Sequence, residues 1–205
     1  MPRVVCLSTI AAFGNTGGKI VSEGYVPTAP PTSVYEDTKR RAHELAVAAA
    51  RDGLPIVIVQ PGQVYGPADH SEVGANLRAL AEGRLRYGAL TEVGLNFVHV
   101  ADLADGIARA LDDGFPGQSY VLGGEIATLG DAYRAVAEVT GRRLPALVIP
   151  KALLRAAAAF SPALRERVRS ADGVTFWASD AKARAELGHH PRSLRDGIRD
   201  TFAVK

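Results

Sequence analysis

Tyr35 and Lys39 stand four residues apart in Tyr-Glu-Asp-Thr-Lys, at the head of a helical run over 38–50. That spacing sets both side chains on one helix face. A phenol titrates at roughly 10, too high for efficient proton transfer near neutrality. An ammonium held beside it favours the phenolate. Upstream, the apolar run Val4-Val5-Cys6-Leu7 ends in two hydroxyls, Ser8 and Thr9. A hydroxyl donor, a tunable phenol and a lysine are what carbonyl reduction or alcohol oxidation needs. Strand-end hydroxyls also serve to satisfy local backbone groups, so one of the pair is the expected catalytic group, and Thr9 is favoured.

The elements that must position these groups alternate. Val4–Leu7 reads as a buried strand, and a loop rich in Gly, Pro and Thr runs over 14–33. A helix follows to about Asp52, closed by Gly53. The β-branched run 55–59 reads as a central parallel strand, broken by Pro61-Gly62. Further on, 75–81 is helical, 97–100 is a strand, and Asp102 caps a helix over 103–111. A strand over 119–122 stops at Gly123-Gly124, and a helix over 129–140 stops at Gly141. The remainder reads as a short strand within 144–149, a helix over 151–169 interrupted near Ser161-Pro162, a helix over 179–187 and a short one after Pro191.

Strands separated by helices predict a parallel, doubly wound α/β sheet. Ligands in such sheets lie off the carboxyl ends of the strands. Ser8 and Thr9 end one strand and residues 60–64 end the next, so both reach one crevice, with Tyr35 opening the helix between them.

Composition narrows the alternatives. The chain has 205 residues, 47% of them hydrophobic and 22% charged, with a net charge of +2. That is ordinary for a globular domain and implies no nucleic-acid partner. The cluster Arg165-Glu-Arg167-Val-Arg169 carries an acid inside it and reads as a solvated helix face. Cys6 is the single cysteine; in its apolar strand it reads as a buried, inert thiol, and with no disulfide framework the expected setting is the reducing cytoplasm. No run of apolar residues reaches membrane-spanning length. The five histidines lack zinc spacings, so no metal site is expected. Gly14-Asn-Thr-Gly17-Gly18 invites a phosphate-loop reading, but a dinucleotide fingerprint must open a helix, and this one runs into proline-rich loop.

With these residues in view, the chain resembles the extended short-chain dehydrogenases/reductases, also called the NAD-dependent epimerase/dehydratase family. The resemblance spans nearly the whole chain. It is carried by Leu-Ser-Thr-Ile-Ala-Ala-Phe-Gly at 7–14, Tyr35-x-x-x-Lys39 and Gln-Pro-Gly-Gln-Val-Tyr-Gly-Pro at 60–67. Asn-Phe-Val-His-Val-Ala-Asp-Leu-Ala at 96–104, Tyr-Val-Leu-Gly-Gly-Glu at 120–125 and Ala-Lys-Ala-Arg-Ala-Glu-Leu-Gly at 181–188 complete it. Gly53-Leu-Pro-Ile-Val and the tail Leu187-Gly-His-His-Pro-Arg-Ser-Leu194 look most like the dihydroflavonol-reductase-like branch.

The resemblance implies the C-terminal portion of a Rossmann-like domain with a small, mostly helical substrate-binding part. Residues 1–67 and 96–125 would be residual Rossmann sheet carrying the active-site motif; 68–95 and 126–205 would bind substrate. Tyr35 would be the general acid/base, Lys39 would hold the nicotinamide ribose, and Thr9, with Ser8 beside it, would polarise the carbonyl. Pro61, Gly62, Gln63 and Val64 would run along the nicotinamide. The cofactor would be NAD or NADP and the substrate a small carbonyl compound or alcohol.

The family opens with a glycine-rich strand–loop–helix, whereas this chain starts at what would be its fifth strand. The residue that chooses NAD or NADP is therefore not among the 205, and poor cofactor binding by this chain alone is expected. The strands Val4–Leu7 and 56–59 would lose sheet neighbours, and the exposed edge would invite a second copy or a separate N-terminal half. Two other functions stay open: a nucleotide-sugar epimerase or dehydratase, with Arg78, Arg84, Arg86 and Arg142 available for a diphosphate, and a non-catalytic remnant or half of a split enzyme.

Overall fold

β-Branched runs bury best between neighbouring strands, and the computed structural model, which describes residues 3–203, places them there. The chain begins with β1 (Val4–Leu7), a 3₁₀ turn (Ile10–Phe13), α1 (Val34–Arg51), β2 (Ile56–Pro61) and β3 (Gln63–Tyr65). It continues through α2 (Glu72–Ala81), β4 (Tyr87–Gly88), β5 (Gly94–His99), α3 (Val100–Asp112), β6 (Ser119–Leu122) and β7 (Glu125–Thr128). α4 (Leu129–Thr140), β8 (Leu147–Val148), α5 (Lys151–Ala158), α6 (Pro162–Ala171), α7 (Ala181–Leu187) and α8 (Leu194–Phe202) follow.

β1, β2 and β6 form a wholly parallel sheet in that order. Alternation along β2 splits its side chains between two faces. Val57 and Val59, fully buried, pack with Leu103 and Ala110 of α3 and Ala183 and Leu187 of α7. Each valine or leucine buried there contributes about 1.5–3 kcal/mol. On the other face Ile10, Phe13, Val21 and Val121 form a second cluster, onto which His43 of α1 sets its ring edge-on to Phe13. Helices on both faces make this part α/β and doubly wound, as the alternation of elements predicts. A second sheet, β3-β5-β7, is mixed: β3 pairs with β5 in parallel and β7 antiparallel. It forms the floor of a core shared with α2, α4 and α8.

Several expected boundaries move. The Tyr35 helix starts at Val34, where the loop over 14–33 ends and ahead of the helical run over 38–50, because Ser33 caps it, its hydroxyl accepting from Glu36 N at 3.1 Å. β2 keeps Pro61 as its last residue and breaks only at Gly62. β2 is not an edge: it has β1 on one side and β6 on the other, and of the two strands expected to lose neighbours only β1 is open on its outer side. Consequently Val4 and Leu7 are 50% and 62% exposed, and Cys6 is half-buried rather than buried. Val100 begins α3 instead of ending a strand, and the cap is His99, whose Nδ1 accepts from Ala101 N at 3.3 Å. β7 was not expected; it is too short to show period-two patterning. The strand expected within 144–149 shrinks to Leu147–Val148.

Asp102, displaced from the cap, holds α8's approach to the sheet instead. Arg192 grips both oxygens of Asp102 at 2.9 Å, and its Nη1 donates to Asp200 at 3.0 Å. His99, 2% exposed, lies beneath this network with Nε2 3.5 Å from Asp200. Burial, reinforced by the Arg192 charge, lowers the His99 pKa against the opposing pull of Asp102 and Asp200.

The joint between the sheets is a close approach. A Cβ on Gly62 would collide with the Asn96 carbonyl oxygen. Gly62→Ala is expected to cost about 1–3 kcal/mol of stability through overpacking, measured by urea unfolding; a loss within about 0.5 kcal/mol would mean that the backbone yields there. The buried histidine gives a second expectation. A lowered folded pKa leaves His99 neutral, so its contribution is complete above the ordinary imidazole value of ~6.5 and is lost as pH falls below it. The melting temperature should therefore drop between about pH 7 and pH 5. His99→Asn, which keeps a capping acceptor, should flatten that drop; equal slopes in both proteins would remove His99 as its source.

Candidate active site

The carboxyl end of β1 is where the hydroxyls sit. Ser8 N donates to Val59 O at 2.8 Å, prolonging the β1–β2 ladder. Ser8 Oγ lies 3.1 Å from His43 Nδ1 on α1. Burial lowers the His43 pKa, with Glu44 opposing, so the neutral ring can accept the Ser8 proton. Thr9 is extended and caps the 3₁₀ turn, its Oγ1 accepting from Ala11 N at 3.2 Å. Accepting leaves the Thr9 proton free to be donated elsewhere.

α1 is locked against this turn by a residue that spacing arguments passed over. Glu36 is 3% exposed and accepts from Thr32 N at 3.1 Å, Thr32 Oγ1 at 2.8 Å and Arg40 Nη2 at 3.0 Å. Gly14, with φ of 69°, closes the turn where any Cβ would strike the Glu36 carboxylate. Ser33-Val-Tyr-Glu36 has the Ser-x-x-Glu capping-box spacing, so the signal was in the sequence. The carboxylate, however, reaches Thr32 rather than the cap residue's own N–H.

With Glu36, Arg40 and His43 facing the turn, the adjacent stripe of α1 faces outward. Tyr35 is 57% exposed, and Lys39 Nζ stands 5.5 Å from the centre of its ring, within cation–π range. No hydrogen bond joins the Tyr35 phenol to Ser8 or Thr9 among the described residues. Pro61 is buried, Gly62 lies on Asn96, and Val64 packs partly into the α3 cluster. Gln63 points its amide back to Val64 O at 3.1 Å and borders a cavity of about 900 Å³.

That cavity lies between α2, α4, α5 and α6. Its wall meets the Tyr35 helix directly: Glu166 of α6 accepts from Val34 N, the first residue of α1, at 3.0 Å. Nothing in the sequence marked this contact, which joins residues 132 apart. Two of the three arginines in the 165–169 cluster are engaged: Arg165 donates to Ala158 O and Ala159 O at the end of α5, and Arg167 pairs with Glu72 at 3.4 Å. The Gly14–Gly18 segment opens no helix; Asn15 and Thr16 tie it to Thr175.

This architecture has known counterparts. Over 98% of its length the chain is 30% identical to the sterol demethylase protein B of Methylococcus capsulatus, spanning 65% of that protein. Over 96% of its length it is 29% identical to a Synechocystis protein provisionally named a dihydroflavonol 4-reductase, spanning 54% of it. A nucleoside-diphosphate-sugar epimerase of known structure from Pseudomonas aeruginosa superposes on 97% of the chain with a TM-score of 0.79 at 28% identity, the chain covering 64% of it. The chain thus spans between about half and two thirds of these relatives' lengths. Residues 1–123 match the family described as NAD dependent epimerase/dehydratase, and since they are more than half of the chain, it belongs to that family.

Proposed function

We propose that the chain carries the catalytic part of an NAD- or NADP-dependent oxidoreductase that reduces a ketone or aldehyde, or oxidises a secondary alcohol. The observation that carries this reading is the Tyr35–Lys39 pair in the first turns of a helix anchored, through Glu36 and Gly14, to the turn that Thr9 caps. When bound, the nicotinamide supplies or takes the hydride. The remaining work falls to side chains. Thr9 Oγ–H donates to the carbonyl oxygen and aligns it, while Ser8, committed to His43, supports the strand end. The Tyr35 phenol delivers the proton to the developing alkoxide, or removes it in the reverse direction. Lys39 holds the ribose, and residues 61–64 border the ring.

Fit to the cofactor is good at that end only. The outward face of Tyr35 and Lys39 leaves room for a nicotinamide riboside. The pyrophosphate needs backbone N–H groups at a helix start, and the Gly14–Gly18 turn offers none. In this reading residues 1–67 and 96–125 form the cofactor side and 68–95 with 126–205 the substrate side. The free Cys6 suits a reducing cytoplasm, and no described helix is long and apolar enough to cross a membrane. The open outer edge of β1 accepts either a glycine-rich partner half or a second copy. The Synechocystis protein's name supports ketone chemistry, and the Pseudomonas protein's name supports the epimerase alternative. Net oxidation of a simple secondary alcohol, without epimerisation of a sugar nucleotide, separates them.

Tyr35→Phe is expected to lower turnover by ~10²–10⁴-fold while sparing cofactor affinity, in any form of the protein that turns over. Lys39→Met should weaken both, and Lys39→Arg should not rescue, because a guanidinium fork does not replace a compact ammonium. Retention of half the activity by Tyr35→Phe defeats the assignment.

Residues 1–205 alone should bind NADH or NADPH no tighter than roughly millimolar, because several charge-assisted hydrogen bonds at ~1.5–3 kcal/mol each are missing. Supplying a family-like glycine-rich segment, fused or as a second chain, should restore affinity. A micromolar dissociation constant by calorimetry on the 205-residue chain would show that the pyrophosphate is held some other way.

A further inference from the structure

α5 is apolar both where it meets the protein and where it does not. Leu154 and Ala158 point inward and pack with Val168 of α6. Leu153, Ala156, Ala157 and Phe160 are exposed, Leu153 by 61% and Phe160 by 91%. Phe160 lies two residues beyond the helix, but its N–H donates to Ala157 O at 3.1 Å, so the chain keeps the helical path. Positions 153, 156, 157 and 160 therefore form one stripe, at the i, i+3, i+4, i+7 spacing of a helix face. β8, just before α5, adds Leu147 and Val148, also exposed. None of these residues lines the cavity beside Gln63.

The charges around this stripe are largely of one sign. From 142 to 169 the chain holds seven cations and one carboxylate, Glu166, in a protein whose net charge is only +2. That carboxylate is engaged with Val34 N. Lys151 pairs with Glu92, Arg155 with Asp172 and Arg167 with Glu72. Arg142, Arg143, Arg165 and Arg169, all exposed, have no carboxylate partner among the described residues. Arg165 donates from Nε to Ala158 O at 3.2 Å and from Nη2 to Ala159 O at 2.9 Å, which fixes its guanidinium at the helix end that carries Phe160. Arg169 stands one turn further along α6, on the same face.

The chemistry of the stripe decides what covers it. An added strand needs open backbone groups, whereas this face is the side chains of a helix. A second copy of the chain would set the same unpaired arginines near one another, which is repulsive. A protein interface is anchored by large side chains seated in pockets, and this stripe is half alanine. A bilayer surface of anionic lipid needs no such fit: its headgroups take the guanidinium charges, and protruding Leu and Phe side chains enter the acyl boundary. The eight residues of α5 rise about 12 Å, far short of the ~30 Å hydrocarbon core, so the helix lies on a bilayer and does not cross it.

We propose that α5 and the turn after it are a docking surface for anionic lipid bilayers. Leu153 and Phe160 enter the boundary between headgroups and acyl chains, and Arg165 and Arg169 meet the anionic headgroups.

The test is co-flotation of the 205-residue chain with vesicles of phosphatidylcholine alone and of an equal mixture of phosphatidylcholine and phosphatidylglycerol. The mixed vesicles are expected to bind it at least tenfold more tightly. Leu153→Ser combined with Phe160→Ser should weaken that binding at least tenfold with circular dichroism unchanged, and Arg169→Glu should weaken it at least threefold. Leu45→Ser, on the exposed face of α1, should leave it unchanged. If the double variant fails to fold, Arg169→Glu and the comparison of the two lipids still decide. No binding to mixed vesicles, equal binding to neutral ones, undiminished binding by the folded double variant, or an equal loss in Leu45→Ser would each overturn the proposal. Self-association in sedimentation velocity that the double variant abolishes, without vesicle binding, would assign the face to a second copy instead.

Discussion

Asn96 and the glycine laid against it hold the two sheets together. β2 runs through the middle of the parallel sheet, bends at Gly62 and continues as β3 in the mixed sheet. The bend is possible because Gly62 can touch the Asn96 backbone directly, with no Cβ between them. Asn96 is fully buried, and its amide is satisfied on both sides: Nδ2 donates to Ala178 O at 2.6 Å and Oδ1 accepts from Gly124 N at 2.7 Å. One residue thereby fixes the end of β6 and the segment leading into α7 through its side chain, and the β2–β3 joint through its backbone. An amide buried this way is strongly favoured only when every partner is present, so the two halves of the crevice are set in one mutual position. Gln63 immediately after the joint inherits that position, which is why a residue at the end of a sheet strand also borders the cavity.

What was readable in the sequence follows the range of the forces involved. Strand and helix identities came from local patterning: Val57 to Val59 are apolar throughout because both faces are covered, and Gly141 stops α4 in the left-handed conformation such ends require. Tyr35 and Lys39 were legible because helix spacing is a local rule. Asp102 was misread as a cap for the same reason. A local rule gave it a local partner, whereas its carboxylate is taken by Arg192, 90 residues away. Glu166 on Val34 and Thr175 on Thr16 are likewise long-range contacts with no local signature. The family blocks could order such segments along the chain but not say which side chains meet.

Burial divides unevenly across the proposed site. On the substrate side, Tyr133, Leu129 and Val93 are nearly or fully enclosed. On the other side, Tyr35 is largely exposed, Leu45 of α1 is 72% exposed, and among the described residues no strand pairs with the outer side of β1. Apolar surface of this kind, continuous with an open parallel edge, is what a further strand and helix would cover. The asymmetry agrees with a chain that spans about half to two thirds of its relatives' lengths.

That asymmetry has a chemical consequence. Proton transfer from a phenol to a developing alkoxide gains most from a fixed, water-excluded setting, where a neighbouring ammonium acts at low dielectric. At its present exposure the Tyr35–Lys39 pair is screened by solvent, and an ion–ring contact at such a site contributes only about 0.5–1 kcal/mol. The positions of Thr9, Tyr35 and Lys39 are set by contacts made within this chain: the Thr9 cap on the 3₁₀ turn, the Glu36–Thr32–Arg40 cluster and the Ser8–His43 contact. Their electrostatic strength is not, because it depends on what covers the outward face of α1. Geometry and reactivity are therefore separable in this fold. In the proposed reaction these residues would be positioned by contacts within this chain and would become effective only when water is excluded from them.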